Sequence, residues 1–212
     1  MTNQPDNYQT TLTRDRYQRI SQIYDLMEIL QERRYLPWRE RMWALVRGPE
    51  VLEVGVGTGK NFAFYPKEVR VTGVDLTPGM LDRARKRAVI LKRNVTLLLG
   101  DTQNLNFPDS SFDSVVATFV FCSVSDPMLG LRELGRVVKP DGQIFLMEHV
   151  RSGKQVVGEM MEILNPVVVR VTGANINRRT VENVYRSGLM IDRVNNLGMG
   201  DIFKLIIARR KK

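Results

Sequence analysis

The chain is poor in the residues that build covalent and metal cross-links. It has one cysteine, Cys122, and one histidine, His149. A lone cysteine excludes an intrachain disulfide and a cysteine-based zinc cage, and a lone histidine excludes a multi-histidine site, so no metal is expected. No apolar run approaches the roughly 20 residues that cross a bilayer. Met1 to Gln9 are polar and contain no apolar signal core, which predicts cytoplasmic residence. Acids are in deficit: 23 Asp and Glu against 32 Lys and Arg leave a net charge of +9. That imbalance attracts something anionic: a phospholipid surface at the inner face of the membrane, a nucleic acid or an acidic substrate. It is equally met by solvated basic helix faces. Hydrophobic residues make up 43% of 212, enough for one α/β domain with a substantial core. With no repeat and no linker, a single domain over 1–212 is expected: an N-terminal helical segment, 1–46, and a core, 47–212.

The chain is organised around residues 51–59, Val-Leu-Glu-Val-Gly-Val-Gly-Thr-Gly. The apolar, β-branched start suits a buried strand. The three glycines Gly55, Gly57 and Gly59 remove Cβ atoms, so the backbone can take positive φ and a ligand can come close. Twenty residues after Gly55, Asp75 ends a second apolar strand, where a carboxylate can accept from both hydroxyls of a ribose. Dinucleotide folds favour Gly-x-Gly-x-x-Gly, with the helix N-terminus facing a pyrophosphate. Here the third glycine comes one residue early, and Glu53 lies just before the loop. A carboxylate there disfavours a diphosphate, and with it an NAD-dependent reductase, but suits a ligand with an ammonium group. S-adenosyl-L-methionine has that ammonium, a sulfonium and no phosphate. On Glu53, Gly55, Gly57, Gly59 and Asp75 the sequence resembles the class I S-adenosylmethionine-dependent methyltransferases.

The resemblance covers nearly the whole chain. It implies a Rossmann-like, seven-stranded, mostly parallel sheet closed by a C-terminal antiparallel hairpin. Strands are expected at about 50–55, 70–75, 95–99, 114–119, 143–147, 190–197 and 202–209. Asp101, just beyond the third strand, matches the family's acid for the adenine amino group, with the Thr102 amide for a ring nitrogen and Gln103 beside them. Leu76 and Met80 would flank the adenine. Asn61 follows the glycine loop, and Thr118, Phe119 and Cys122 would border the methionine part. Thr77 and Asp126, each before a proline, are expected to cap helices. The first of these helices should bury Met80, Leu81, Ala84, Ala88 and Leu91 and turn Arg83 and Arg87 to water. Lys139-Pro140-Asp141-Gly142 reads as a turn, and Pro166 as the end of a helix begun near 155.

The N-terminal segment shows helical spacing over 11–30 (Leu12, Tyr17, Ile20, Ile23, Tyr24, Met27, Leu30) and again over 35–46 (Leu36, Trp38, Met42, Trp43, Val46). Basic amphipathic helices of this kind can lie on a membrane or pack as a lid. Ile23-Tyr24-Asp25-Leu26-Met27, with the later Trp38-Arg39, resembles the entry region of ubiquinone/menaquinone C-methyltransferases. This makes Tyr24 the lid candidate, with Tyr17 behind it. The runs Gly57–Phe62, Phe121–Val124 and Met147–Val150 resemble methyltransferase-like thiol methyltransferases. The small size and basic N-terminus resemble bacterial phospholipid N-methyltransferases. These groups share an apolar or amphiphilic acceptor, such as a phosphatidylethanolamine-like amine or a quinone. Methyl transfer needs a base only if the nucleophile begins protonated. His149 and Glu148, at the end of the fifth strand, are the candidates, with Tyr24 at the pocket mouth. The competing reading, an RNA-directed methyltransferase or nucleic-acid-binding module, rests on charge alone; no aromatic-basic recognition pattern supports it.

Overall fold

A computed structural model describes residues 5–198 and 200–211. Seven strands form one sheet: β1 (Glu50–Val54), β2 (Arg70–Asp75), β3 (Val95–Leu99), β4 (Phe112–Thr118), β5 (Val138–His149), β6 (Leu189–Asn196) and β7 (Phe203–Arg210). Their order is β3-β2-β1-β4-β5-β7-β6. β7 runs antiparallel to both neighbours, and the other pairs are parallel. This is the expected Rossmann-like sheet with its closing hairpin. The chain winds outward through β1, β2 and β3, then returns to place β4 on the other side of β1. That reversal opens a crevice beyond the carboxyl ends of β1 and β4.

Strand periodicity sorts the core into two layers. Leu52, Val54, Val115, Ala117, Ile144 and Leu146 pack on one face, under α5 (Pro127–Val137) and α7 (Thr180–Arg186). Val51, Val116, Phe145 and Met147 pack on the other, under α3 (Ile29–Trp43), a 3₁₀ turn (Lys60–Phe64) and α4 (Pro78–Ile90). The same alternation puts the Glu53 carboxylate in the second layer, beside Phe62, Tyr65 and Trp43.

Several local expectations are corrected. The predicted helix over 11–30 is three elements: α1 (Asn7–Ile20), α2 (Tyr24–Met27) and the start of α3. The chain turns at Ser21, which is fully buried; its hydroxyl bonds back to the Gln18 carbonyl and lies against Gly79 of α4. Tertiary packing thus breaks a helix that spacing alone would continue. Ile23, Met27, Leu30 and Leu36, on the apolar sides read for the N-terminal helices, are exposed, and so is Leu91, expected to be buried. Trp43 is buried and Trp38 packs at the edge of the same layer. α3 continues through Pro37, and α6 (Gln155–Thr172) through Pro166. Residues 139–142 are not a free turn but a bulge within β5, which advances from Val138 to Gln143 while β4 advances from Phe112 to Ser114. Asp126 caps α5 as expected. Thr77 makes no side-chain cap on α4; Gln18 of α1 takes that place, its side-chain oxygen accepting from the Gly79 amide at 2.8 Å.

Trp43 packs face-tilted on Tyr65 at 4.4 Å between centroids and is 1% exposed. Trp43→Ala should lower the unfolding free energy by about 3–5 kcal/mol, read from urea denaturation of the two proteins.

Candidate active site

The glycine loop leaves β1 with Gly55, Gly57 and Gly59 all at positive φ, +61°, +56° and +80°. Their roles differ. A Cβ at Gly55 would strike Val120, and one at Gly59 would strike the Phe62 ring, so these two allow close packing. A Cβ at Gly57 would meet nothing nearer than the Gly55 carbonyl at 3.9 Å and would project into the open crevice. The Gly57 amide donates to Asp75 Oδ2 at 2.8 Å, and the Thr77 amide donates to Oδ1 at 2.9 Å. Asp75 is 9% exposed, and burial raises its pKa despite these two bonds. Each oxygen keeps lone pairs facing the crevice, the arrangement a ribose diol requires.

The crevice has two lobes. The larger, about 730 Å³, is bordered by Gly57, Asp75, Leu76, Met80, Asp101 and Thr102, with Tyr17 and Thr10 closing it from α1. Gln103 borders it too, but as a strut. Its amide nitrogen donates to Asp101 and Thr10, and its oxygen accepts from the Asp126 amide. The smaller lobe, about 370 Å³, is bordered by Glu53, Lys60, Asn61, Arg39, Glu28 and Thr58. Tyr24, Gly55, Gly57, Thr118 and Phe119 border both and so mark the neck. Phe119 holds φ at +57°, a left-handed backbone that a bulky residue rarely adopts, at the point where β4 ends on the crevice.

Glu53 is 1% exposed, and burial pushes it up to about 7 against the hydrogen bonds from Tyr65 and Asn61. Asn61 is a hub: its Nδ2 donates to Glu53 at 2.6 Å and to Thr118 Oγ1 at 3.0 Å, and its Oδ1 accepts from Arg39 at 2.8 Å. The lid closes over this lobe through ion pairs. Glu32 accepts from Arg39, Glu28 from Lys60, and Asp25 from Arg83, Arg87 and Thr58. Arg83 and Arg87 are therefore not solvent-facing, as the helix pattern suggested. They sit one turn apart and clamp one lid carboxylate. The Tyr17 hydroxyl lies 2.5 Å from Ser123 Oγ, and burial raises the pKa of Tyr17 and Tyr24.

Three predicted residues stand behind the wall. Cys122 is buried; its thiol, pushed up to about 12 by burial and by nearby Glu148, is unreactive at neutral pH, and its sulfur contacts the Phe119 carbonyl. Glu148 is 0% exposed and accepts from the Val120 and Phe121 amides, which fixes the turn after β4. His149 is mostly buried against Phe203; burial lowers it to about 4, and its Nδ1 has no partner among the described residues. Neither Glu148 nor His149 borders either lobe. Sequence reasoning met Arg39 and Lys60 only inside family-like runs, without assigning either a role, and did not single out Glu28 or Arg178; tertiary contact brings all four to their places.

A reversed-order parallel sheet, a glycine loop with one glycine open to the ligand, a diol-accepting aspartate and a second lobe mixing two acids, Glu53 and Glu28, with two bases, Lys60 and Arg39, define a binder of an adenosyl amino acid. The protein belongs to the S-adenosylmethionine-dependent methyltransferases, and S-adenosyl-L-methionine is its cofactor. A methyltransferase-domain family matches residues 52–146. The chain is similar to a phosphatidylethanolamine N-methyltransferase of Cereibacter sphaeroides, 39% identical over 110 residues, 51% of this chain and 54% of the relative. It thus spans about half the length of that relative. It is 31% identical over 165 residues to a demethylmenaquinone methyltransferase of Staphylococcus aureus, covering 74% of this chain and 68% of the relative. In structure it resembles a methyltransferase of Thermotoga maritima described as a possible histamine N-methyltransferase, at a TM-score of 0.73 and 22% identity over 94% of this chain and 100% of that one. The described residues hold no cluster of three or more metal-ligating side chains, and no helix long and apolar enough to cross a membrane.

Burial pushes Glu148 up to about 8 from an ordinary 4.5. The folded state therefore keeps a proton that the unfolded chain releases above 4.5, and stability from this group is lost as pH rises towards 8. His149, lowered from 6.5 to about 4, acts with the opposite sign and only below 6.5. Between pH 6.5 and 8 the wild type should lose stability, and Glu148→Gln, which keeps the acceptor oxygen without titrating, should lose less. Urea denaturation at half-unit pH steps measures this.

Proposed function

We propose that the two lobes hold S-adenosyl-L-methionine with its adenosine in the larger and its amino-acid end in the smaller. Bound there, it would supply a methyl group activated by the positive sulfur. Asp75 accepts from the ribose hydroxyls, Asp101 and the Thr102 amide read the adenine edge, and Leu76 and Met80 cover its faces. Glu53, held by Asn61, favours the ammonium, while Lys60 and Arg39 offer positive charge to the carboxylate. Tyr24 closes the neck and Tyr17 the larger lobe, and together they exclude water. In-line displacement needs alignment and a dry site more than a strong base. Of the three catalytic candidates, Tyr24 borders both lobes and serves as the wall that orients the acceptor. Glu148 supports the Val120–Phe121 turn, and His149 is assigned no contact.

We infer further that the acceptor is a small amphiphile, a lipid amine of the phosphatidylethanolamine kind, with a quinone as the alternative. The observation that carries the headgroup is Arg178. It is half-buried, donates to the Val124 carbonyl on the rim of the larger lobe, and forms no ion pair among the described residues, although Asp126 acts on it at longer range. Its Nε is buried without a partner, and burial lowers its pKa. A half-buried guanidinium that forms no ion pair of its own suits a phosphate, which a phospholipid has and a quinone lacks. The named activities of the Cereibacter and Staphylococcus relatives support the same pair of acceptors.

Calorimetric titration with S-adenosyl-L-methionine should show binding that Asp75→Ala weakens by roughly 1.5–3 kcal/mol; an unchanged affinity would place the ribose elsewhere. Radiolabelled methyl transfer into a lipid and quinone extract, with products identified by mass, should label phosphatidylethanolamine. Arg178→Met should raise KM for that acceptor roughly tenfold to a hundredfold and leave cofactor affinity intact. Label in quinones alone would select the alternative, and label in added RNA would overturn the amphiphile reading.

A further inference from the structure

α6 has its apolar side turned outward. Val156, Met160, Ile163, Val167 and Val171 recur at three- and four-residue steps and are 70%, 55%, 76%, 65% and 74% exposed. Only Gly158 and Met161 on this helix are buried. The inner side is fixed by buried Met161 and by polar contacts: Asn165 bonds to Asn175 and to the Ile176 amide, and Asn175 donates to the Cys122 carbonyl in the turn after β4. Gly173, just past the helix, faces Arg16 and Tyr17. The C-terminal end of the helix therefore lies close to Tyr17, which borders the larger lobe, while the stripe itself faces outward. Around it stand the exposed bases Lys154 and Arg170, with Arg16 at its end. Of the two acids on the helix, Glu162 is paired with Arg151, and Glu159, hydrogen-bonded to the neutral Gln155, is the one acid left charged without an ion pair among the described residues.

An apolar stripe flanked by bases, on a chain of net charge +9, matches an anionic bilayer surface. A second copy matches it poorly, because two such faces repel each other. We propose that α6 seats this protein on anionic phospholipid. The five apolar side chains enter the boundary between headgroups and acyl chains, and Lys154, Arg170 and Arg16 meet phosphates. The seating holds whichever acceptor is methylated, so its failure and that of the acceptor reading are separable.

The test is vesicle flotation of the full chain with 3:1 phosphatidylcholine–phosphatidylglycerol vesicles and with pure phosphatidylcholine. The wild type should float with the anionic vesicles and far less with the neutral ones. The double variant I163S/V167S should bind at least about tenfold more weakly, with unchanged melting temperature and cofactor affinity. A control, V89S/I90S, removes two apolar residues equally exposed at the end of α4, 79% and 77%, and should bind as the wild type does. Equal loss in both double variants, or no wild-type flotation, would overturn the proposal. So would sedimentation equilibrium showing a wild-type dimer that the α6 variant dissolves, since that would assign the stripe to a second copy.

Discussion

The Asp75 carboxylate joins the two strands on which the site is built. One oxygen takes the Gly57 amide and the other the Thr77 amide, so the loop after β1 and the turn after β2 are tied to a single anion. Amides in tight loops otherwise turn to water, and here they cannot do so without stranding a buried charge. The constraint explains why Gly57 must be bare: its backbone is drawn towards β2 with positive φ, and its missing side chain becomes ligand space. It also explains why the aspartate ends β2, since a residue earlier in the strand would point into one of the two apolar layers.

Around that centre the polar groups form a ladder from the sheet to the lid. Tyr65 and Asn61 hold Glu53, Arg39 holds Asn61, and Glu32 holds Arg39. Lys60 extends it to Glu28. Burial alone would raise Asp25, but Arg83, Thr58 and Arg87 outweigh it and keep the carboxyl below its usual range. Buried pairs of this kind add little net stability, since desolvation offsets most of the attraction; they specify geometry. The lid is fixed in one place while its own apolar residues, Leu26 and Leu30 among them, stay outside the core. The same ladder sets Lys60 and Arg39 beside the acid that the amino-acid end of the cofactor would meet.

Much of the fold was legible because its signals are local. β-branched runs mark β1, β2 and β4, and the proline after Asp126 marks the start of α5. The larger lobe was legible for the same reason: Gly57, Asp75, Asp101 and Thr102 lie at strand ends, where topology alone brings them to one edge. What was not legible depended on partners distant in the chain. Ser21 breaks a helix because Gly79 leaves room for it. Gln18, not Thr77, satisfies the Gly79 amide. Arg83 and Arg87 occupy positions that a helical wheel assigns to water, and only the approach of Asp25 turns them inward. The reversed face of α6 was missed because its spacing is that of a buried helix, and periodicity does not say what a face is packed against.

By itself the sequence determined the strand order's raw material, the bare-backboned loop and the spacing of acids that suits a phosphate-free adenosyl cation. These follow from residue type and short-range geometry, which are properties of the chain before it folds. The tertiary structure alone decided which carboxylates are satisfied and which remain open, that His149 and Glu148 lie behind the wall, that Arg178 reaches the Val124 carbonyl half-buried and without an ion pair, and that α6 turns its apolar side outward. Those outcomes depend on desolvation and on partners far apart in sequence, and neither exists until the chain is packed.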